Sequence, residues 1–400
     1  MVPEGWQLST IEKIATVSSG GTPSRKKPSY WNGNIPWVTT AEVQFKTIFD
    51  TAEKITVDGL NNSSAKLFPK NTILMAMYGQ GKTRGQVAKL GIEATTNQAC
   101  AAIILKTGYE IDYYYQFLIS QYEHIREMSN SGGQENLSAG IVKSIQVPVP
   151  PLFEQHKIAK ILSTWDMAIA TSEQLLANSQ QQKKGLMQQL LTGEKRLEGF
   201  KQAWSKVKVS KMGSISSGGT PDTTKKEYWD GDINWLTPTD VTSLKSRYVF
   251  STNKTISEKG LKNSSAKMLP RGALLICTRA TIGAMAISKT EIATNQGFKN
   301  LIPNAEFSVE FLHYLFTFNV KELVRKSSGS TFLELSKSDF EKLTFLCPCL
   351  DEQHKIASVL IVADDAIAVQ QQKLHYLKQE KKALMQQLLT GKRRVKVEAA

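Results

Sequence analysis

The strongest constraint on the fold is a stretch of sequence that occurs twice. The first copy runs from residue 154 to residue 193, and the second runs from residue 352 to residue 391. Both copies open with Glu-Gln-His-Lys-Ile-Ala and close with Leu-Met-Gln-Gln-Leu-Leu-Thr-Gly. Matching positions lie 198 residues apart at both ends, so no insertion separates the copies. A repeat of this kind determines the architecture before any single residue is interpreted.

Each copy predicts one long helix. Neither copy contains proline between its opening Glu and its closing Gly, and Leu, Gln, Ala and Lys favour helix. We expect Asp351 to be the N-cap of the second helix, and Gly193 and Gly391 to end the two helices. Roughly 40 residues at about 1.5 Å each make a rod about 60 Å long. This length is typical of a coiled coil or a helical bundle.

Apolar positions in both helices alternate by three and four, which indicates a coiled-coil seam. The seam positions are Ile169, Ser172, Leu176, Ser179, Lys183, Leu186 and Leu190 in the first copy, and Ile367, Gln370, Leu374, Leu377, Lys381, Leu384 and Leu388 in the second. Because the seam includes Ser, Gln and Lys, neither helix predicts a strong homodimer. The economical interpretation is that the two copies pack on each other.

Polar residues at the two ends of each helix are candidates for contact with a partner protein. The alternative is that the helices only hold the protein together. The candidate partner-binding residues are Gln155, His156, Gln188, Gln189, Gln353, His354, Gln386 and Gln387.

The region before each helix is also repeated. Gly-Gly-Thr-Pro at 20–23 recurs at 218–221, Tyr-Trp-x-Gly at 30–33 recurs at 228–231, and Thr-Asn-Gln at 96–98 recurs at 294–296. The chain is therefore predicted to be a tandem duplication of a globular module followed by a helix. The predicted boundaries are 1–150 and 201–348 for the modules, and 151–200 and 349–400 for the helical segments.

Each module combines strand-like and helix-like segments. Predicted strands lie at 72–77, 101–105, 144–149 and 273–277, and amphipathic helices are predicted at 111–126 and 309–324. The predicted fold class is α+β, with variable chemistry carried by loops.

The composition favours a polyanionic partner. The chain carries 50 Lys and Arg against 36 Asp and Glu, a formal charge of +14, and its pI is near 9.4. The four cysteines predict free thiols, and no second Cys or His cluster completes a metal site around Cys347 and Cys349. No signal peptide and no spanning helix are expected, so the predicted location is the cytoplasm.

Residues that differ between the modules are better candidates for recognition than shared ones. The shared residues Tyr30, Trp31 and Trp37, with Tyr228, Trp229 and Trp235, are assigned mainly to the core. Three regions differ most: 24–29 against 222–227, 78–84 against 276–282, and 132–136 against 330–334. Gln and Asn suit adenine, Arg suits guanine, and Lys suits phosphate. The candidate DNA-binding residues are Arg25, Lys26, Lys27, Tyr78, Gln80, Lys82, Arg84, Gln134, Asn136, Lys225, Lys226, Thr278, Arg279, Thr281, Ser330 and Thr331.

No catalytic constellation is found in the sequence. Residues 79–83 resemble the end of a phosphate-binding loop, but the first glycine of that motif would fall at Ala76. No dinucleotide-binding glycine motif and no amino-methyltransferase motif occurs, and no nucleophile is paired with a base. The chain alone is not expected to be an enzyme.

The ordered set of motifs resembles the specificity subunit of type I restriction-modification systems. It comprises Gly-Gly-Thr-Pro, Tyr-Trp-x-Gly and Thr-Asn-Gln in each module, Pro-Pro-Leu-x-Glu-Gln-x-Lys-Ile-Ala at 150–159, and the closing Leu-Met-Gln-Gln-Leu-Leu-Thr-Gly. The second copy departs from the pattern at 347–351, where Cys-Pro-Cys-Leu-Asp lacks the double proline.

The resemblance implies two target-recognition domains, each of which reads one half of a bipartite site in double-stranded DNA. It implies that the two helices pack as an antiparallel coiled coil, set the spacer and dock two modification subunits. Those methyltransferase subunits would carry S-adenosylmethionine, and restriction subunits, which are nucleases and translocases, would use ATP and Mg. This chain would hold no cofactor.

Two alternatives remain open at this point. One is a coiled-coil adaptor whose modules bind protein or carbohydrate. The other is a specificity protein that serves methylation only, without a nuclease partner.

Overall fold

The chain divides into two compact units in a computed structural model that describes residues 2–79, 81–128, 136–328 and 333–395. Unit 1 comprises Met1–Glu173 and Gln372–Ala400, and unit 2 comprises Gln174–Gln371. Each unit therefore contains one module, the first half of the long helix that follows it, and the second half of the other long helix. The predicted boundaries follow the sequence elements, whereas the compact units divide within the helices.

The module of unit 1 alternates short strands with short helices. Its strands are β1 (Gln7–Thr10), β2 (Ala15–Ser19), β3 (Trp31–Val38), β4 (Thr47–Ile48), β5 (Glu53–Ile55), β6 (Ile73–Ala76), β7 (Val87–Leu90), β8 (Thr95–Thr96), β9 (Cys100–Leu105) and β10 (Gln146–Val149). Its helices are α1 (Ile11–Ile14), α2 (Val57–Asn61), α3 (Ile111–Ser120), α4 (Tyr122–Glu127) and α5 (Ala139–Ser144), and the long helix α6 (Leu152–Leu191) follows.

The module of unit 2 repeats this order. Its strands are β11 (Ser205–Lys208), β12 (Gly213–Ser217), β13 (Trp229–Leu236), β14 (Tyr248–Val249), β15 (Lys254–Ile256), β16 (Leu274–Cys277), β17 (Met285–Ser288), β18 (Ala293–Thr294), β19 (Phe298–Pro303) and β20 (Thr344–Cys347). Its helices are α7 (Pro238–Ser243), α8 (Glu258–Lys262), α9 (Val309–Phe318), α10 (Val320–Arg325) and α11 (Lys337–Lys342), and the second long helix is α12 (Leu350–Leu388).

Both modules have the same sheet topology. Unit 1 has a five-stranded sheet in the order β2-β9-β6-β7-β4, a three-stranded sheet β5-β3-β8 and the pair β1-β10. Unit 2 has the orders β12-β19-β16-β17-β14, β15-β13-β18 and β11-β20. Helices and mixed sheets occur together in each module, which confirms the predicted α+β class.

The central strands are buried on both faces, as their uninterrupted apolar sequences predict. All four residues of β6 and all four of β16 are buried. The predicted segments 72–77, 101–105, 144–149 and 273–277 all contain strands. The shared tryptophans lie in the smaller sheet, where Trp37 is 3% exposed and its indole meets Trp31 edge to face at 5.0 Å. Tyr30 and Tyr228 directly precede these strands and are buried. Trp37 Nε1 donates to the Gly21 carbonyl, which explains why the Gly-Gly-Thr-Pro motif accompanies the tryptophans.

The two predicted amphipathic helices are each divided in two, so a single helix over 111–126 or 309–324 is wrong. The first breaks at Gln121 and the second at Asn319, where ψ turns to 7° and 22°. The Asn319 amide donates to the Leu315 carbonyl, which is one way that Asn competes with the helical backbone.

The long helices are confirmed, with small differences at their ends. They contain 40 and 39 residues and end at Leu191 and Leu388, shortly before Gly193 and Gly391. Both glycines have φ above +70°, the left-handed conformation in which Gly costs least. Asp351 lies inside the first turn rather than at the N-cap, because the helix already begins at Leu350. Its carboxylate still complements the helix dipole there.

The predicted seam is partly or fully buried at every position along both helices. Within unit 1, Lys381 Nζ contacts Asp166 at 2.6 Å and Lys378 contacts Glu173 at 2.7 Å. One residue number rises as the other falls, so the two segments run antiparallel. Within unit 2, Lys183 pairs with Asp364 at 2.5 Å in the same way. Each seam lysine therefore meets an aspartate.

Candidate nucleic-acid interface

Two of the variable regions meet at one edge of each module. In unit 1 the amide of Leu137 donates to the carbonyl of Met77 at 2.9 Å, which joins the segment before α5 to the β6–β7 loop. In unit 2 the amide of Leu335 donates to the carbonyl of Thr278 at the same distance. The common fold thus brings together loops whose sequences differ.

The shared Thr-Asn-Gln segment, with the residue after it, links these loops to the Gly-Gly-Thr-Pro motif. The Thr22 hydroxyl donates to Gln98, and the Met77 amide donates to the Ala99 carbonyl at 2.8 Å. Unit 2 has the same links, from Thr220 to Gln296 and from the Thr278 amide to the Gly297 carbonyl. The segment is therefore a structural connection between one variable loop and the shared Gly-Gly-Thr-Pro motif, which directly precedes the first variable region.

The β6–β7 loop of unit 1 is three residues longer than the β16–β17 loop, since ten residues (77–86) separate its strands against seven (278–284). Tyr78 is 42% exposed and Lys82 is exposed. Gly79, Gly81 and Gly85 have positive φ. Arg84 is only 7% exposed, so its charge lies mostly within the module.

Helix α4 holds this loop through two residues that sequence reasoning missed. Arg126 Nη1 donates to the Gly81 carbonyl at 2.7 Å, and the Tyr122 hydroxyl donates to the Lys82 carbonyl. Tyr122 also meets Phe45 edge to face at 5.2 Å. The available signal was their four-residue spacing, which places both side chains on one face of the helix.

The first variable region carries cations that already have partners. The Arg25 guanidinium lies 3.7 Å from the Trp31 ring and forms a bidentate pair with Glu53. The hydrogen bond from Arg25 lowers the pKa of Glu53. Lys27 donates to the Tyr30 hydroxyl at 3.1 Å, and Lys225 repeats this contact with Tyr228 at 3.3 Å. Lys26 and Lys226 are exposed.

The remaining candidates differ in accessibility. Thr278 is fully buried and its hydroxyl donates to the Gly297 carbonyl, so its side chain is part of the module interior. Arg279 and Thr281 are exposed, and Asn136 is partly exposed. The candidates Gln80, Gln134, Ser330 and Thr331 lie outside the described residues.

The predicted partner-binding glutamines at the helix starts are internal. Gln155 is 1% exposed, accepts from the Glu110 amide and donates to the Pro150 carbonyl. Gln353 is equally buried and bonds the Ser308 amide and the Pro348 carbonyl. This internal position removes both from any open contact surface. The exposed candidates are His156, Gln188, Gln189, His354, Gln386 and Gln387; of these, His156 pairs with Glu110.

The described residues show neither a cluster of metal ligands nor a helix suited to span a membrane. No group of three or more His, Cys, Asp or Glu side chains within them is placed to hold a metal ion. In the same part of the chain, no helix has the length and apolarity needed to cross a membrane.

Comparison with known proteins agrees with the internal repeat. The family model described as the type I restriction modification DNA specificity domain matches twice, over residues 3–178 and 201–379. The MjaIX specificity subunit of Methanocaldococcus jannaschii is 41% identical over 166 residues, which are 41% of this chain and 38% of that protein. The putative MjaX specificity subunit of the same organism is 27% identical over 66% of this chain and 63% of its own length. The MjaVIII specificity subunit is 23% identical over 99% of this chain and 94% of its own length.

Solved structures share the fold at low sequence identity. The S subunit of a type I system from M. genitalium is 16% identical, with a TM-score of 0.62 over 97% of this chain and 96% of that one. A chain from a study of complex assembly and conformational transition in the type I R-M system gives the same TM-score at 18% identity, over 97% of this chain and 98% of its own. The double match of the family model covers most of the chain. The chain belongs to the type I restriction-modification DNA specificity family, whose members are the non-catalytic specificity subunits of these systems.

Proposed function

We propose that this chain recognises DNA for a type I restriction-modification complex, and that each module reads one half of a bipartite target. The observation that carries the proposal is that the two modules share one fold but differ in the residues of their loops. The fold and the backbone bonds that join the loops are the same in both, as in the pairs Leu137–Met77 and Leu335–Thr278. The loop residues themselves differ. Such a pair of modules is suited to reading two different half-sites.

The charge of the chain supports DNA as the ligand. A formal charge of +14 attracts the phosphate backbone, and exposed cations lie in the variable loops. We propose as contact residues the exposed or partly exposed candidates Lys26, Tyr78, Lys82, Asn136, Lys226, Arg279 and Thr281. Arg25, Lys27 and Lys225 would have to exchange or share their present partners to bind DNA.

The long helices are proposed to set the unread spacer and to dock two modification subunits. Exposed polar side chains at their ends, including Gln188, Gln189, Gln386 and Gln387, are available for that contact. On this proposal S-adenosylmethionine is bound by the modification subunits, and ATP and Mg by restriction subunits that join them.

The test is adenine-methylation mapping by single-molecule sequencing. The chain is expressed with its cognate modification subunit in a host that lacks both. We expect a new bipartite motif with a methylated adenine in each half. Exchanging residues 1–150 for those of a relative with another target should change one half only. An assembled complex that methylates no defined motif would contradict the proposal and favour an adaptor role.

A further inference from the structure

Unit 2 has a charged cluster where its two variable loops meet, whereas the described residues at the matching positions of unit 1 carry no charge. Lys299 Nζ lies 3.7 Å from Glu334 Oε1, and Arg279 Nε lies 3.9 Å from Glu334 Oε2. In unit 1 the positions that match Lys299 and Glu334 are Ala101 and Asn136. The match follows from the strand pairing, since Ala101 faces Met75 in β6 as Lys299 faces Ile276 in β16. The cluster is therefore an addition to the common fold.

Lys299 is the buried member of the cluster. It lies in β19 with 5% of its surface exposed, and its neighbour Asn300 is 1% exposed. A buried ammonium group is tolerated when a carboxylate lies beside it. Glu334 supplies that carboxylate from the loop side, where 42% of its side chain is exposed. The buried Lys299 ammonium thus attracts the partly exposed Glu334 carboxylate where the two variable loops meet.

The backbone fixes Arg279 beside Glu334. The two residues form an antiparallel bridge, and Glu334 also exchanges two backbone hydrogen bonds with Ser328 at 3.0 and 3.1 Å. The next residue, Ala280, has φ +61°, a conformation that residues other than Gly adopt uncommonly. Such strained positions are concentrated at functional sites because the surrounding structure has to enforce them.

The orientation of Arg279 leaves a defined recognition edge. Glu334 faces the Nε atom, so the two terminal nitrogens form the other edge of the guanidinium. Those nitrogens match the spacing of O6 and N7 of guanine in the major groove. About half of the Arg279 side chain, 46%, is exposed. Two cations and one carboxylate also leave the cluster with a net positive charge.

We propose that Arg279 reads a guanine in the half-site recognised by unit 2, and that Glu334 and Lys299 are positioning residues for it. This inference rests on the proposed function and specifies its chemistry in one module. Unit 1 has to read its own half-site differently, because Ala101 and Asn136 supply no such charge pair.

The experiment uses the full chain assembled with its modification subunits and a DNA library randomised in both half-sites. Methylation is mapped for Arg279→Ala, Arg279→Lys, Glu334→Gln and Glu334→Asp. We expect Arg279→Ala and Arg279→Lys to lose about 10- to 100-fold discrimination at one guanine, because Lys cannot form the bidentate contact. Glu334→Gln should reduce discrimination at that same position by a smaller factor, and Glu334→Asp should restore part of it.

Two internal controls are available. The half-site read by unit 1 should keep its base preference in every variant, which reports folding and assembly. Glu322→Gln disrupts an exposed ion pair with Arg325 in the same unit and should leave both half-sites unchanged.

Two results would overturn the assignment of Arg279 to a guanine without contradicting the proposed function. The first is a uniform loss of affinity by Arg279→Ala across all sequences, with the salt slope reduced by about one, which would indicate a phosphate contact. The second is a lower melting temperature of the variants with no change in base preference, which would indicate a purely structural cluster. If the wild-type complex methylates no defined motif, the proposed function itself fails and the assignment fails with it.

Discussion

Arg394 Nε donates to Glu154 Oε2 at 2.8 Å, although 240 residues separate them in the chain. Both residues belong to unit 1, and the Trp6 indole donates to the same carboxylate at 3.4 Å. Glu154 is 1% exposed, so these donors satisfy a buried charge. Segments from both ends of the sequence are thereby joined at the start of α6.

Unit 2 contains the same arrangement within one continuous stretch of chain. Arg196 donates twice to Glu352, at 2.7 Å each, and Trp204 Nε1 donates to Glu352 at 3.2 Å. The residues following α12 thus perform in unit 1 the structural role that the segment between the two modules performs in unit 2.

Arg394→Ala is expected to destabilise unit 1 because it leaves the buried Glu154 carboxylate without its guanidinium partner. The melting temperature measured by calorimetry should fall, and limited proteolysis should show earlier cleavage in unit 1 than in unit 2. Arg393→Ala is the matched control, since Arg393 is the adjacent exposed arginine. An equal fall in melting temperature for the two substitutions would show that the contact between Arg394 and Glu154 does not stabilise unit 1.

Asp364→Asn is expected to destabilise unit 2 by about 2 kcal/mol at pH 7, because the carboxylate accepts from several donors. Tyr314 donates to it at 2.6 Å, Lys183 contacts it at 2.5 Å and Arg247 at 3.2 Å. The free energy of unfolding is measured by urea titration. Asp365→Asn, at a mostly exposed neighbouring position, serves as the control.

The same contact predicts a pH dependence. Burial acts to raise the pKa of Asp364, but hydrogen bonds from Lys183 and Tyr314 outweigh it and the pKa is lowered. A carboxyl whose pKa is lower in the folded state contributes stability at neutral pH, and this contribution is lost as the pH falls through the folded pKa. The difference in unfolding free energy between wild type and Asp364→Asn should therefore shrink in acid. A difference that is constant with pH would be evidence against an ionised Asp364.

His313→Tyr is expected to make unit 2 more resistant to mild acid. Burial lowers the pKa of His313 to about 4, and the facing Arg247 and Lys183 add to the effect while Asp364 opposes it. At pH values between the ordinary pKa of 6.5 and about 4, the unfolded chain binds a proton at this histidine that the folded chain does not bind. The free energy of unfolding therefore decreases as the pH is lowered through this range. The loss amounts to about 3 kcal/mol once the pH is at the folded pKa, since each pKa unit corresponds to about 1.4 kcal/mol.

Tyrosine is the natural replacement because Tyr115 occupies the matching position in unit 1. Urea titrations at pH 7 and pH 4.5 measure the effect, with the exposed His375→Tyr as the control. An unchanged pH dependence in His313→Tyr would show that another group causes the acid sensitivity.

Arg126→Ala is expected to relax the base preference of one half-site by roughly tenfold, because the Gly81 carbonyl loses the donor that holds the β6–β7 loop. The matching position in unit 2 is Val324, so the other half-site should be unaffected. Methylation mapping measures both halves in one experiment. Glu127→Ala, an exposed substitution on the same helix, is the control, and a change in both half-sites would contradict the assignment of this loop to one half.

Insertion of four residues after Ser179 tests the proposed spacer role. Since Lys183 lies opposite Asp364 in antiparallel helices, a matched insertion after Ala368 preserves the pairing. About 6 Å of added helix should lengthen the accepted spacer by roughly two base pairs. Methylation mapping of the doubly extended chain would detect the change, and an unaltered spacer would exclude a measuring role for the helices.

Local pattern and repetition in the amino-acid sequence were enough to predict one set of features. The three-four spacing predicted both long helices and their buried seam, and the absence of proline and the closing Thr-Gly set their extent. The two-fold repetition predicted two like modules, and the shared tryptophans were assigned to the core, where Trp37 lies. These features follow from the spacing of apolar residues and from comparison of the two repeats. Neither requires knowledge of contacts between distant residues.

Which distant residues meet depends on the packing of the folded chain. The seam lysines Lys183 and Lys381 are unfavourable in an apolar seam, but folding places Asp364 and Asp166 beside them. Gln155 was predicted to be a partner-binding candidate, yet its side chain forms hydrogen bonds with the backbone of Glu110 and Pro150 in its own module. The pairing of Arg279 with Glu334 likewise depends on two loops more than 50 residues apart. Sequence period specifies which face of an element is buried, whereas packing of the whole chain selects the partner on the opposite side.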